Sequence, residues 1–180
     1  MTLHIAPLSP VIGAEISGVD LSALRPDEFE TIRQALVDHQ VIFFRDQDAL
    51  NPEVQIAFAR RFGDLHAHPA APHMDGYPEI FVIHAHRDSK VANGNGWHTD
   101  VSCDEAPPMG TMLQIHELPE AGGDTLWINT CAAYESLSPA MQRFLETLTA
   151  RHESEHIYRG RYSDRGVDDA KRTYPSAVHP

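Results

Sequence analysis

No apolar run in these 180 residues approaches the about 20 that a membrane-crossing helix needs. The opening MTLHIAPLSP has neither the basic start nor the apolar core of a signal peptide. A soluble, cytoplasmic protein with no membrane partner is therefore expected. Cysteine is scarce: Cys103 and Cys131 make no CxxC pair and no disulfide framework, which agrees with a reducing compartment. Positive charge is also short, with 14 Lys+Arg against 26 Asp+Glu and a formal charge of -12. Such a surface repels phosphate backbones, so nucleic acid is not an expected partner, although Arg151, Arg159, Arg161, Arg165, Lys171 and Arg172 gather near the C-terminus. There is no glycine-rich phosphate loop between strand and helix and no regular βαβ series, which excludes a dinucleotide-binding fold. Internal repeats and low-complexity tracts are missing as well.

What is present fills one core. A chain of 180 residues with 42% hydrophobic content suits a single domain over residues 1–180. Pro26 opens a helical pattern with Phe29, Ile32, Ala35 and Leu36 on one face, running to about His39 and feeding a buried strand at residues 41–44. Asn51 caps a second helix with Pro52 in its first turn, Ile56, Ala59 and Phe62 on one face, and Gly63 past its end. Strands are expected at residues 80–84, 111–116 and 125–128. Ser138 and Pro139 start a last helix that carries Met141, Phe144, Leu145 and Leu148 inward. Residues 158–174 are polar, with Gly160 and Gly166 among charges, and read as a mobile excursion over the mouth of a site.

The chemistry concentrates at Trp97-His98-Thr99-Asp100. On an extended segment, residues two apart point to the same side, so His98 and Asp100 offer an imidazole nitrogen and a carboxylate oxygen along one edge. Those are two of the three ligands of a 2-His-1-carboxylate facial triad, which leaves Fe(II) with open positions. Asn95 and Gly96 are read as the turn that brings this segment up to the metal, and Trp97 as packing beside it. Cys103 is three residues beyond Asp100 and is read as a packing residue near the metal. His66/His68 and His84/His86 are H-x-H pairs that could chelate zinc or manganese on a strand, but both read more simply as ordinary loop and strand-end histidines.

NGWHTDVSCDEAPP at residues 95–108, then HELPEAGGDTLWINTCAAYESLSP, together with IGAEISGVDL, HQVIFFRDQ and RRFGDLHAHP upstream, resemble the taurine dioxygenase family of Fe(II)- and 2-oxoglutarate-dependent oxygenases. The resemblance covers nearly the whole chain. It implies a double-stranded β-helix, or jelly roll, flanked by helices and C-terminally incomplete here, with α+β to mainly-β content. It implies Fe(II) as cofactor with 2-oxoglutarate and O2 as co-substrates, succinate and CO2 as products, and hydroxylation of a small anionic substrate: a sulfonate, sulfate ester or carboxylate. By the same resemblance His98 and Asp100 are the iron ligands, Thr125 in GGDTLW binds a 2-oxoglutarate carboxylate, and His68 in LHAHP and Tyr158 line the substrate pocket. The family's distal histidine ligand and its 2-oxoglutarate arginine are expected beyond Pro180, and His179 in VHP is read as a strand-leading residue rather than as that ligand. Ala71 replaces a family tyrosine three residues after His68, and Gly94 an asparagine four before His98, which removes hydrogen-bond donors for taurine itself. A homo-oligomer is left open by what relatives do. Two other readings stand beside this one: a cupin-like metalloenzyme using an H-x-H pair, and an inactive fragment kept as an interaction module.

Overall fold

The computed structural model describes residues 2–89, 94 and 96–180. They fall into two compact units, Met1–Phe62 with Leu113–Glu146, and Gly63–Met112 with Thr147–Pro180. No helix among the described residues is long and apolar enough to cross a membrane.

The first unit is built on a three-stranded sheet. β1 (His4–Pro7) pairs antiparallel with β2 (Ala14–Ser17), and β2 pairs parallel with β3 (Ile42–Phe44). The parallel pairing requires a crossover, which α1 (Pro26–His39) supplies. Pro26 sits in its first turn, where the missing N–H costs nothing. Glu28 turns back to accept from the Arg25 backbone N–H at 2.9 Å and pairs with the Arg25 guanidinium at 2.7 Å. Gln40 closes the helix in the left-handed region, its N–H donating to the Leu36 carbonyl at 2.8 Å. Phe29, Ile32 and Ala35 are buried as their spacing predicts, and Ala14 and Ile16 of β2 are fully buried with them. Gly18 ends β2 with φ of 73°, and a Cβ there would collide with the Thr2 carbonyl oxygen.

α2 (Pro52–Arg60) is capped by Asn51 Oδ1, which accepts from the Val54 N–H at 2.9 Å. The sequence pattern places Ile56 and Ala59 on its inner face, yet Phe58 is the residue it buries. The cause is aromatic packing: Phe58 meets Phe29, Phe44 and Phe62 edge-on, with ring centroids 5.4 to 6.5 Å apart. Gln114 fastens Leu50 as a strand partner would, accepting from its N–H at 3.0 Å and donating to its carbonyl at 3.1 Å. α3 (Thr130–Glu135) and α4 (Pro139–Leu145) complete this unit, capped by Asn129 and Ser138 as side-chain acceptors.

Three expectations fail in this unit. Residues 111–116 and 125–128 join no ladder, and Leu113, Ile115, Leu126, Trp127 and Ile128 are exposed. The α4 side chains Met141, Phe144 and Leu145, with Leu148 beyond them, are exposed rather than inward. A strand is held by its neighbours' backbone and an amphipathic face by an opposing layer, and no described residues supply either at these places.

The second unit has two hairpins. β4 (His73–Met74) and β5 (Tyr77–Phe81) turn at Gly76, so the expected strand at 80–84 begins earlier and stops at Phe81. β6 (Ala150–Glu153) pairs antiparallel with β7 (Ser176–His179), a hairpin with no forerunner in the sequence reading. The excursion between them is anchored at its base by buried Ser154, whose hydroxyl donates to the Pro175 carbonyl at 2.8 Å. The excursion is not a featureless loop: it holds α5 (Glu155–Tyr158), two 3-10 turns and the buried Tyr162. Arg165 donates to the Val82 and His84 carbonyls, and Arg172 to that of Pro69.

Candidate metal centre

His98 and Asp100 come together as the H-x-D spacing predicts, on irregular backbone rather than on a strand. His98 Nδ1 lies 2.8 Å from the Gly96 carbonyl oxygen. A carbonyl only accepts, so Nδ1 carries a hydrogen, and a ring with that one hydrogen has its lone pair on Nε2. Nε2 faces Asp100 Oδ1 at 3.3 Å, with the two side chains 56% and 51% exposed. Two lone pairs set face to face repel unless a proton or a cation lies with them. Neighbouring ligands each about 2.1 Å from an octahedral ion are about 3.0 Å apart, so this spacing fits one edge of a metal site. Asp100 Oδ2 is occupied differently: it accepts from the Thr111 hydroxyl at 2.7 Å. A ligating histidine tied through its other nitrogen and a ligating carboxylate held by a donor are what orient a metal's ligands. Asn95, expected in the approach turn, lies outside the described residues. Trp97 is exposed rather than packed.

His68 and Tyr158 are also brought together, their rings edge-on with centroids 4.7 Å apart. His68 Nδ1 accepts from the Ala70 and Ala71 N–H groups at 3.2 and 3.0 Å, so the neutral ring presents Nε2–H as a donor. Burial pushes the His68 pKa below the ordinary histidine value, His66 adds to that shift, and the Asp104 and Asp100 carboxylates oppose it. Burial pushes the Tyr158 phenol up, with Tyr162, Cys103 and Asp100 acting in the same sense. Both rings thus feel the charge of Asp100. Thr125 lies in the first unit, exposed and outside any ladder.

The remaining histidines have other partners. His66 Nε2 meets Asp104 Oδ2 at 2.8 Å, so His66 and His68, perpendicular at 6.3 Å, do not converge on one point. His84 and His86 are exposed, 5.6 Å apart. His179 Nε2 lies 3.0 and 3.1 Å from the Ser102 and Asp104 carbonyl oxygens. Among the described residues no group of three or more His, Cys, Asp or Glu is arranged to hold a metal ion. Burial raises the Cys103 pKa, with the Asp104 charge adding to it, which suits a packing thiol. Thr111 was missed by the sequence reading, because a hydroxyl eleven residues beyond a carboxylate has no characteristic spacing.

A histidine and a carboxylate thus present adjacent donor atoms, each held by a second hydrogen bond. The family model described as "Taurine catabolism dioxygenase TauD, TfdA family" matches residues 4–180, and the chain belongs to that family. An alkylsulfatase from Acinetobacter baylyi is 42% identical over 159 residues, covering 88% of this chain and 49% of that protein. An alpha-ketoglutarate-dependent sulfate ester dioxygenase from Pseudomonas putida is 38% identical over 172 residues, covering 95% and 56%. Among solved structures, a putative alpha-ketoglutarate-dependent taurine dioxygenase from Burkholderia xenovorans superposes with a TM-score of 0.73 at 33% identity, covering 99% of this chain and 60% of that one. The chain spans about half the length of the curated relatives it matches.

Proposed function

We propose that this chain is the N-terminal and central part of an Fe(II)- and 2-oxoglutarate-dependent dioxygenase that hydroxylates a small anionic substrate with release of succinate and CO2. The observation that carries this reading is the His98 Nε2 and Asp100 Oδ1 edge, within a family match that covers residues 4–180. When bound, the iron supplies the oxidative chemistry with O2 and 2-oxoglutarate. The chain's own residues orient and select. Gly96 and Thr111 hold the two ligands; Thr125 offers a hydroxyl to a 2-oxoglutarate carboxylate; His68 presents an N–H to the substrate anion beside the Tyr158 ring. A histidine kept neutral by burial donates this hydrogen bond without a proton that solvent pH could remove.

The substrate class follows the printed names of the relatives, alkylsulfatase, sulfate ester dioxygenase and sulfonate dioxygenase. Ala71 is buried, with its N–H committed to His68, so the pocket lacks a tyrosine hydroxyl there. That disfavours taurine as the substrate. In this reading the fold is a jelly roll, and the distal histidine and arginine come from outside these 180 residues. A cytoplasmic location and self-association belong to the same proposal. The test is succinate formation from 2-oxoglutarate, with sulfate esters, alkylsulfonates, taurine and carboxylates offered in parallel. Turnover dependent on Fe(II), stimulated by sulfate esters and abolished in His98→Ala, is expected; metal-independent turnover, or activity surviving that substitution, overturns it.

A further inference from the structure

The ligand edge poses a mechanical problem. His98 and Asp100 lie on irregular backbone, more than half exposed, and no ladder fixes them. The next residue is worse placed: Val101 has φ of 52°, in the left-handed region that a β-branched side chain strongly disfavours. Such a conformation persists only where the surroundings over-determine it.

Three histidines from three separate segments supply that determination. The 101–104 turn is closed by the Asp104 N–H on the Val101 carbonyl at 3.1 Å. His66, from the stretch after α2, meets the Asp104 carboxylate at 2.8 Å. His152 Nδ1 of β6 meets the Ser102 hydroxyl at 2.9 Å. His179 Nε2 of β7 lies between the Ser102 and Asp104 carbonyls at 3.0 and 3.1 Å, and since both oxygens only accept, this nitrogen must carry its hydrogen. In the β6–β7 register Ala150 faces His179 and Ala177 faces His152. His152 and His179 are therefore diagonal neighbours on one face of the hairpin, 5.4 Å apart, with small alanines opposite each.

We infer that His66, His152 and His179 form a clasp on the 101–104 turn that holds the strained Val101, and through it Asp100, in register with His98. They are positioning residues, none of them a ligand. The role as stated rests on the proposed assignment of Asp100 to the metal, but the clasp itself is a property of the metal-free chain.

The experiment uses the whole 180-residue chain without metal, then with Co(II). Imidazole nitrogen NMR of the wild type should show His179 protonated at Nε2; protonation at Nδ1 alone overturns the inference without any variant being made. Amide exchange over residues 97–104 should quicken about tenfold in His179→Leu while α1 keeps its protection. His179→Gln, whose amide N–H2 can still donate to both carbonyls, should restore slow exchange. Val101→Gly added to His179→Leu should recover much of the loss, because glycine needs no clasp at that φ. Exchange unchanged within about twofold in His179→Leu, or failure of both His179→Gln and Val101→Gly to rescue it, overturns the inference. Co(II) affinity should fall about tenfold in His179→Leu. A wild type that binds no Co(II) would mean that two donors do not hold the ion without the distal histidine, and the exchange data still decide the clasp.

Discussion

Thr111→Val removes one hydroxyl and replaces it with a methyl of nearly equal size, so it isolates the hydrogen bond to Asp100. That bond is short, 2.7 Å from Oγ1 to Oδ2, and its acceptor is a carboxylate. Hydrogen bonds to charged groups contribute about 1.5–3 kcal/mol, and the exposure of this pair puts it at the lower end. Losing the bond has two opposed effects on metal affinity. The carboxylate loses a donor that shares its charge, which favours binding, and it becomes free to rotate away from His98, which disfavours it. Orientation dominates, since substitutions in the shell around metal ligands typically cost about 10–100-fold in affinity. Thr111→Val should therefore weaken Co(II) or anaerobic Fe(II) binding about tenfold, equivalent to about 1.4 kcal/mol. Chelator competition measures the change, and Thr111→Ser should stay within about threefold of wild type because it keeps the donor. Equal affinity in wild type and Thr111→Val, with unchanged thermal stability, would refute the argument that Thr111 orients a ligand.

Other expectations follow from burial and charge. Ile32 is fully buried on α1, so Ile32→Ala should cost about 2–5 kcal/mol, read as a lower urea midpoint with an unchanged slope. Because burial lowers the folded-state pKa of His68, the unfolded chain binds more protons as pH falls below about 6.5, and stability falls with it. His68→Asn keeps an acceptor for the Ala70 and Ala71 amides and should remove that part of the pH dependence in denaturant titrations at pH 5 to pH 8; an unchanged slope would contradict a neutral His68. Leu126 is 70% exposed, so Leu126→Ser should shift stability by no more than about 0.5 kcal/mol. It should also lower binding of an apolar dye, since exposed apolar patches of this kind recruit other surfaces.

Local signals were readable where the determinants were local. Both ends of α1 follow from Pro26 and the residues after His39, and the start of α2 from Asn51-Pro52. The His98–Asp100 edge followed from a two-residue spacing. Strands at 111–116 and 125–128 were inferred from apolar runs, but a ladder depends on a partner that such a run does not contain. Inward-facing residues on α4 failed for the same reason. The contacts around the metal edge were illegible because they join residues far apart in sequence: His66 to Asp104 spans 38 positions, His152 to Ser102 spans 50, and His179 to Ser102 spans 77. His179, read as a strand-leading residue, instead ends β7, and its ring serves the turn beside Asp100.

The central claim is that His98 and Asp100 hold Fe(II) with room for 2-oxoglutarate. Anaerobic titration of the chain, joined to the segment that carries the distal histidine and arginine, with Fe(II) and then 2-oxoglutarate, followed by visible absorption, tests it most directly. The account predicts a weak charge-transfer band that saturates with 2-oxoglutarate and disappears in His98→Ala and Asp100→Ala. Folded wild-type protein that develops no band, or a band that survives both substitutions, would contradict it.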